Sequence, residues 1–212
     1  MAVIHHTSLK PTKLELLTAW LPTRPWYQGG GGEVPELAKA GGFRLDDPQG
    51  EVGIELMVVA DTSGERPAAY FVPLTYRGAP LDGAEDALVG TMEHGVLGRR
   101  WAYDGCHDPV LLAQFAALIE GRVQAQHQSV SDSVDREVSR AFSGDVLPRF
   151  STAVDDHEGT ELRAAEGVVL RLHRVLGPAD DAPPEAIGHV AGAWGLPDGG
   201  RERGLFAVLR PA

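Results

Sequence analysis

The chain has 212 residues, 19 Lys+Arg against 30 Asp+Glu and a formal net charge of −11. Only three of the basic residues are lysines, so the basic face that a nucleic acid or a polybasic membrane-surface contact requires is missing. No run approaches the roughly 18 apolar residues of a membrane helix. The start, MAVIHHTSLKPTKLELL, has no basic stretch leading into an apolar one, so no leader is expected. The single Cys106 excludes an internal disulfide framework. A 43% hydrophobic fraction suffices for a packed core. A cytoplasmic protein of one domain or two small ones is expected, as monomer or homodimer.

Along the chain, Thr12 and Glu15 have capping-box spacing ahead of Leu14, Leu17 and Leu21, and predict a helix that Pro22 stops. Trp26 to Gly32 (WYQGGGG) then reads as a loop, because consecutive glycines hold regular structure poorly. Leu37 to Leu45 is a strand candidate weakened by Gly41 and Gly42. Gly53 to Ala60 and Ala68 to Thr75 flank the turn Asp61-Thr62-Ser63-Gly64 and predict an antiparallel hairpin, with Pro73 at an edge or bulge. Ala87 to Met92 and Gly98 to Tyr103 are shorter candidates. Asp108 as cap, Pro109 at the first helical position and Gly121 as stop bound a second helix over 108–119. The polar stretch 124–135 reads as a linker. Beyond it, Thr160 to Ala165, Val168 to Arg174, His189 to Leu196 and Gly204 to Leu209 are strand candidates, with turns at Glu166-Gly167 and at 197–200. Many strands and few helices indicate an α+β protein with mostly antiparallel sheets.

Few motifs carry chemistry. The glycine run lacks the Gly-Lys-Ser/Thr ending of a phosphate loop. Asp155-Asp156-His157-Glu158 is four neighbours on a loop and reads as a solvated turn rather than a metal site; no metal and no cofactor are expected. His5-His6 reads as an ordinary terminus. Glu93, His94, Asp104 and His107 are the candidates for acid–base work, and Cys106 beside His107 invites a thiol–imidazole pair, although adjacent residues seldom place those atoms in contact. Trp20, Arg24, Trp26 and Tyr27 suit a sugar or a protein partner. Equally, Trp20 and Trp26 suit a core that locks the first helix onto a sheet.

The segment Trp20-Leu21-Pro22-Thr23-Arg24-Pro25-Trp26-Tyr27 resembles the opening of the N-terminal cap of actinobacterial maltokinases, with Pro25 inserted between the Arg and the Trp. Trp101 to Ile119 resembles the segment leaving that cap. Val168 to Arg174 resembles the strand bearing the nucleotide-binding lysine, and His189 to Trp194 and Leu205 to Leu209 the strands leading to the kinase hinge. The resemblance implies a cystatin-like cap subdomain over 1–103 and a kinase N-lobe-like β subdomain over 104–212. It also implies degenerate nucleotide positions at Thr160 and Arg171. Arg171 stands where the lysine is expected, and Arg and Lys are not interchangeable at a phosphate. Asp155, Asp156, Glu158 and Glu161 crowd the loop that would cradle phosphates, and their charge would repel a triphosphate. Nothing in the 212 residues is expected to stand for the catalytic lobe. The expected role is therefore a non-catalytic accessory or regulatory protein of maltose, trehalose or 1,4-α-glucan metabolism that binds a pathway enzyme or a sugar. The alternatives are a small glucan- or sugar-acting enzyme and a nucleotide-binding pseudokinase fragment.

Overall fold

The computed structural model describes residues 9–29, 34–130, 133–179 and 181–212. His5, His6 and Gly30 to Gly32 lie outside the described residues.

After the short strand β1 (Leu9–Lys10), Thr12 caps helix α1 (Lys13–Trp20). Its hydroxyl accepts from the Glu15 amide at 3.2 Å, and the Glu15 carboxylate accepts from the Thr12 amide at 2.7 Å. Two amides that no helical carbonyl can reach are thereby satisfied. Pro22 enters a single 3₁₀ turn, Leu21–Thr23, near its start, where a missing N–H costs nothing. Helix α2 (Pro109–Glu120) begins as predicted, with the Asp108 carboxylate accepting from the Val110 amide at 2.9 Å. It ends on Gly121, whose φ of 79° is left-handed and suits glycine.

Apart from 3₁₀ turns at Glu85–Ala87, Gly105–His107 and Ala165–Gly167, the remaining elements are strands: β2 (Leu37–Asp46), β3 (Gly53–Asp61), β4 (Ala68–Arg77), β5 (Leu88–His94) and β6 (Gly98–Asp104) before α2. After it come β7 (Ser139–Phe142), β8 (Phe150–Asp155), β9 (Gly159–Ala164), β10 (Val168–His173), β11 (Val175–Leu176), β12 (Gly188–Gly195) and β13 (Arg201–Pro211). All pair antiparallel in one sheet of order β1-β5-β6-β4-β3-β2-β12-β13-β10-β9-β8. Strand β11 continues β10 past Arg174 and pairs with β4, and β7 pairs with β12. The circuit β4-β3-β2-β12-β13-β10/β11 thus closes on itself, with one register pair, Trp194 with Gly41, joining β12 to β2. Strands from both ends of the chain enclose one interior. Pro73 behaves as an edge residue. Phe71 donates its amide to Arg174 at 2.9 Å, so alternation turns position 73 toward the same edge, in the gap between β11 and β6.

The interior stacks Phe71 on Phe206 at 4.6 Å, with Phe43 6.1 Å from Phe206. Phe115, Leu118 and Ile119 of α2 pack into the same cluster. A second cluster joins Leu17 and Trp20 to Met57, Val59, Tyr70, Val72 and Leu74 on the opposite face of β3 and β4. These two strands are buried on both faces, which is why GIELMVVA and AAYFVPLT read as continuous apolar runs instead of alternating. Each large apolar side chain so enclosed stabilises the fold by about 1.5–3 kcal/mol.

The polar stretch 124–135 does not span open space where it is described. Gln126 exchanges both backbone hydrogen bonds with Arg44 of β2, at 2.8 and 2.9 Å, and bridges to Val134. Ala125 and Asp135 are buried. Backbone pairing with an existing strand overrides a composition that favours solvent.

Candidate functional site

One buried polar network centres on Arg174, the residue between β10 and β11. Alternation along the strand puts Leu170, Leu172 and Arg174 on one face, and Arg174 has no exposed surface. Its Nη2 donates to Asp104 Oδ2 at 2.6 Å and lies 3.2 Å from Cys106 Sγ, while its Nε donates to Thr160 Oγ1 at 2.6 Å. Thr160 in turn donates to Asp155 at 2.5 Å. The guanidinium carbon lies 5.0 Å from the Trp26 ring centre, so the π face receives the cation where Nη1 has no hydrogen-bond acceptor among the described residues.

The electrostatics follow from burial. Burial disfavours the Asp104 carboxylate, but Arg174 and the Cys106 amide outweigh it and hold Asp104 below its ordinary value. Burial likewise opposes the charge of Arg174, and Asp104 more than restores it. Burial pushes the Cys106 thiol well up, with Arg174 pulling against it. A buried ion pair with almost no exposed surface, its remaining guanidinium nitrogen set over the Trp26 ring, is a lock between segments. It joins the end of β6, the β8–β9 hairpin and the β10–β11 junction.

Thr160 and Arg171 do not converge on an open phosphate site. The Thr160 hydroxyl is consumed by Asp155 and Arg174. Arg171 is clamped by Asp156 through Nη1 at 2.6 Å and Nη2 at 2.5 Å, with Glu158 3.5 Å away. Asp156 also accepts from the amides of Glu158 and Gly159. The Arg171 hydrogen bond, aided by those amides, lowers the carboxyl pKa against its desolvation. The acidic turn is therefore organised around an arginine. Among the described residues no group of three or more His, Cys, Asp and Glu side chains is arranged to hold a metal ion.

Trp20 and Trp26 lie inside the second cluster, edge to face at 5.8 Å, and Trp26 has no exposed surface. Neither offers an open face to a sugar. Arg24 covers the Trp20 ring at 5.0 Å and keeps partial exposure. Half-buried Tyr27 donates to Asp61 Oδ2 at 2.7 Å. Asp61 Oδ1 accepts from the Glu36 amide at 3.0 Å, so one carboxylate holds both flanks of the segment between Tyr27 and Glu36.

Three of the four acid–base candidates are committed to other contacts. Exposed Glu93 pairs with Arg99 at 2.9 Å. His94 Nδ1 accepts from the amides of Val96 and Leu97 and so closes the β5–β6 turn. Asp104 is sealed in the arginine network, and His107 is exposed. The Cys106 thiol makes its contact with Arg174, at the β10–β11 junction, which a reading of Cys106 beside His107 misses. The one signal for Arg174 in the sequence was its place in the Leu-x-Leu-x-Arg alternation.

Residues 20–108 match the family described as the maltokinase N-terminal cap domain. Over that segment the chain is similar to a maltokinase N-terminal cap domain. The match begins at Trp20, at the end of α1, and closes on Asp108, the cap of α2. No curated protein matches the chain. The cap domain supplies β2, β3 and β4 of the closed circuit, and Trp26, Asp104 and Cys106 of the arginine network. Thr160 and Arg174 come from outside it.

Proposed function

We propose that this protein acts as a non-catalytic accessory component of maltose, trehalose or 1,4-α-glucan metabolism, binding a pathway enzyme or a sugar. The cap domain suggests a maltose- or trehalose-related context. The observation that carries the non-catalytic reading is the internal pairing of the kinase-like positions. Arg171 is held in a two-toothed ion pair by Asp156, and Thr160 is spent between Asp155 and Arg174. An incoming phosphate would have to displace a carboxylate already bound in the strongest geometry available to arginine. The commitment of Glu93, His94 and Asp104 to other contacts supports the same reading, since general acid–base catalysis needs its groups free to reach a substrate.

A ligand that binds only the folded state raises its melting temperature. Millimolar ATP with magnesium is expected to leave the melting temperature unchanged, and maltose is expected to receive no phosphate. A rise of several degrees, or phosphorylated maltose, would overturn the non-catalytic reading. Affinity capture from the native cell, followed by titration of the purified candidate, tests the partner version; recovery of the free protein alone would count against it.

A further inference from the structure

Strand β8 ends the sheet, and among the described residues no strand pairs with its outer edge. The Asp156 amide donates to the Gly159 carbonyl at 2.9 Å and closes the β8–β9 turn. Alternation along the antiparallel ladder then directs the backbone of Val154 toward Glu161 of β9, and the N–H and C=O groups of Ala153 and Asp155 toward the open edge. Toward the start of the strand the register shifts between Phe150 and Thr152, and the Ser151 hydroxyl donates to the Arg163 carbonyl at 3.4 Å. Such a bulge ends regular pairing. The open ladder therefore runs over 153–155, with Val154 at its centre. Val154 is 49% exposed, an apolar side chain beside an unfilled row of backbone donors and acceptors.

We propose that this edge pairs with the same edge of a second copy of the chain, about a two-fold axis at Val154. Ala153 of each copy then exchanges backbone hydrogen bonds with Asp155 of the other. The two Val154 side chains meet as a non-hydrogen-bonded pair, the closer of the two antiparallel kinds. Charge selects this occupant. The strand is entered through Arg149, which is exposed and forms no ion pair among the described residues. It leaves through Asp156 and the exposed Glu158, whose carboxylate lies 3.5 Å from Arg171. Antiparallel pairing lays the Arg149 end of each copy against the Glu158 end of the other, so the strand is complementary to itself. A foreign extended peptide would find too short an open ladder to hold it and would bring no such match. A two-fold contact consumes the edge on both copies, so assembly stops at the dimer. Strand β8 lies outside the matched segment 20–108, and the pairing does not depend on the accessory role.

Sedimentation velocity of the full chain from micromolar to millimolar concentration tests it. A reversible monomer–dimer equilibrium is expected, because so small a contact holds weakly. Val154→Lys, at an exposed position, is expected to leave only monomer, with the melting temperature of the dilute protein unchanged. Arg149→Glu is expected to weaken the dimer about fivefold, and Glu158→Arg added to it is expected to restore the affinity. Val154→Cys sets two thiols at a spacing that a disulfide spans, so oxidised glutathione is expected to link the copies. Val96→Cys, exposed in the β5–β6 turn, is expected to give no such link. A chain that stays monomeric throughout the range would overturn the proposal. So would a dimer that survives Val154→Lys and gives no link through Val154→Cys.

Discussion

Arg174 shows how one buried charge sets the demands on its neighbours. Removing it leaves Asp104 charged, enclosed and unpaired. Arg174→Met is therefore expected to cost about 3–5 kcal/mol, measured as a fall in the urea midpoint. Adding Asp104→Leu is expected to recover part of that loss, because the orphaned carboxylate is gone. A single-variant cost below about 1 kcal/mol would contradict the lock. Cys106 gives a second measurement at this scale. Its burial and raised thiol pKa predict that a disulfide reagent modifies the native protein only as fast as it unfolds. Immediate stoichiometric labelling without denaturant would refute that. Alternation could have placed Arg174 inward, but its partners sit 14, 68 and 70 residues away along the chain, and spacing carries no information about such contacts.

Local chemistry governed the ends of the helices more than their packing did. Thr12→Ala removes one half of the capping box and is expected to destabilise by about 1 kcal/mol. Gly121→Ala forces a side chain into a left-handed backbone at φ 79°, and is expected to cost about 1–2 kcal/mol. Thermal melts of both variants check these values, and an unchanged midpoint in either would show that its cap contributes nothing. The strands were legible where apolar runs were long, as in β3 and β4. Strands β7 and β8 were not. Ser139–Phe142 is largely exposed, and Phe150–Asp155 leads into the acidic turn, so neither has a continuous apolar signal. Both exist because a partner strand, β12 or β9, supplies the hydrogen bonds.

At the scale of the molecule, the closed circuit makes the matched cap domain depend on the rest of the chain. Phe43 and Phe71 pack with Phe206 of β13, and α2 lies against the same cluster. A fragment ending at residue 108 would expose the inner face of β2 to β4. It is expected to bind hydrophobic dye and to unfold without a cooperative transition, whereas the full chain unfolds in one. A sharp transition in the fragment would show that the cap segment is self-sufficient. Acid response is likewise collective. Burial opposes ionisation of Asp47, Glu55, Asp61 and Asp104. Backbone amides outweigh it at Asp47, Lys13 and Tyr76 at Glu55, the Ser63 and Glu36 amides with the Ser63 and Tyr27 hydroxyls at Asp61, and Arg174 at Asp104. All four pKa values lie below their unfolded values, so the unfolded chain takes up more protons in acid. Their stabilisation is complete above about pH 4 and is lost as pH falls below it. His173, lowered by burial and then by Arg171, adds a smaller loss that begins below about pH 6.5. Melting temperatures from pH 7 down to 3 should decline gently and then steeply; a flat profile would contradict these assignments.

The sequence by itself determined the helix caps, most strands, the antiparallel α+β class and the likeness of Trp20 to Tyr27 to a maltokinase cap, because each is written in residues close together in the chain. Only the tertiary structure decided that Trp20 and Trp26 face inward, that Asp156 clamps Arg171, that Arg174 joins three segments and that strands from both ends enclose one interior. Those outcomes depend on which surfaces remain to be buried once the strands have paired, and that competition is settled across the whole chain.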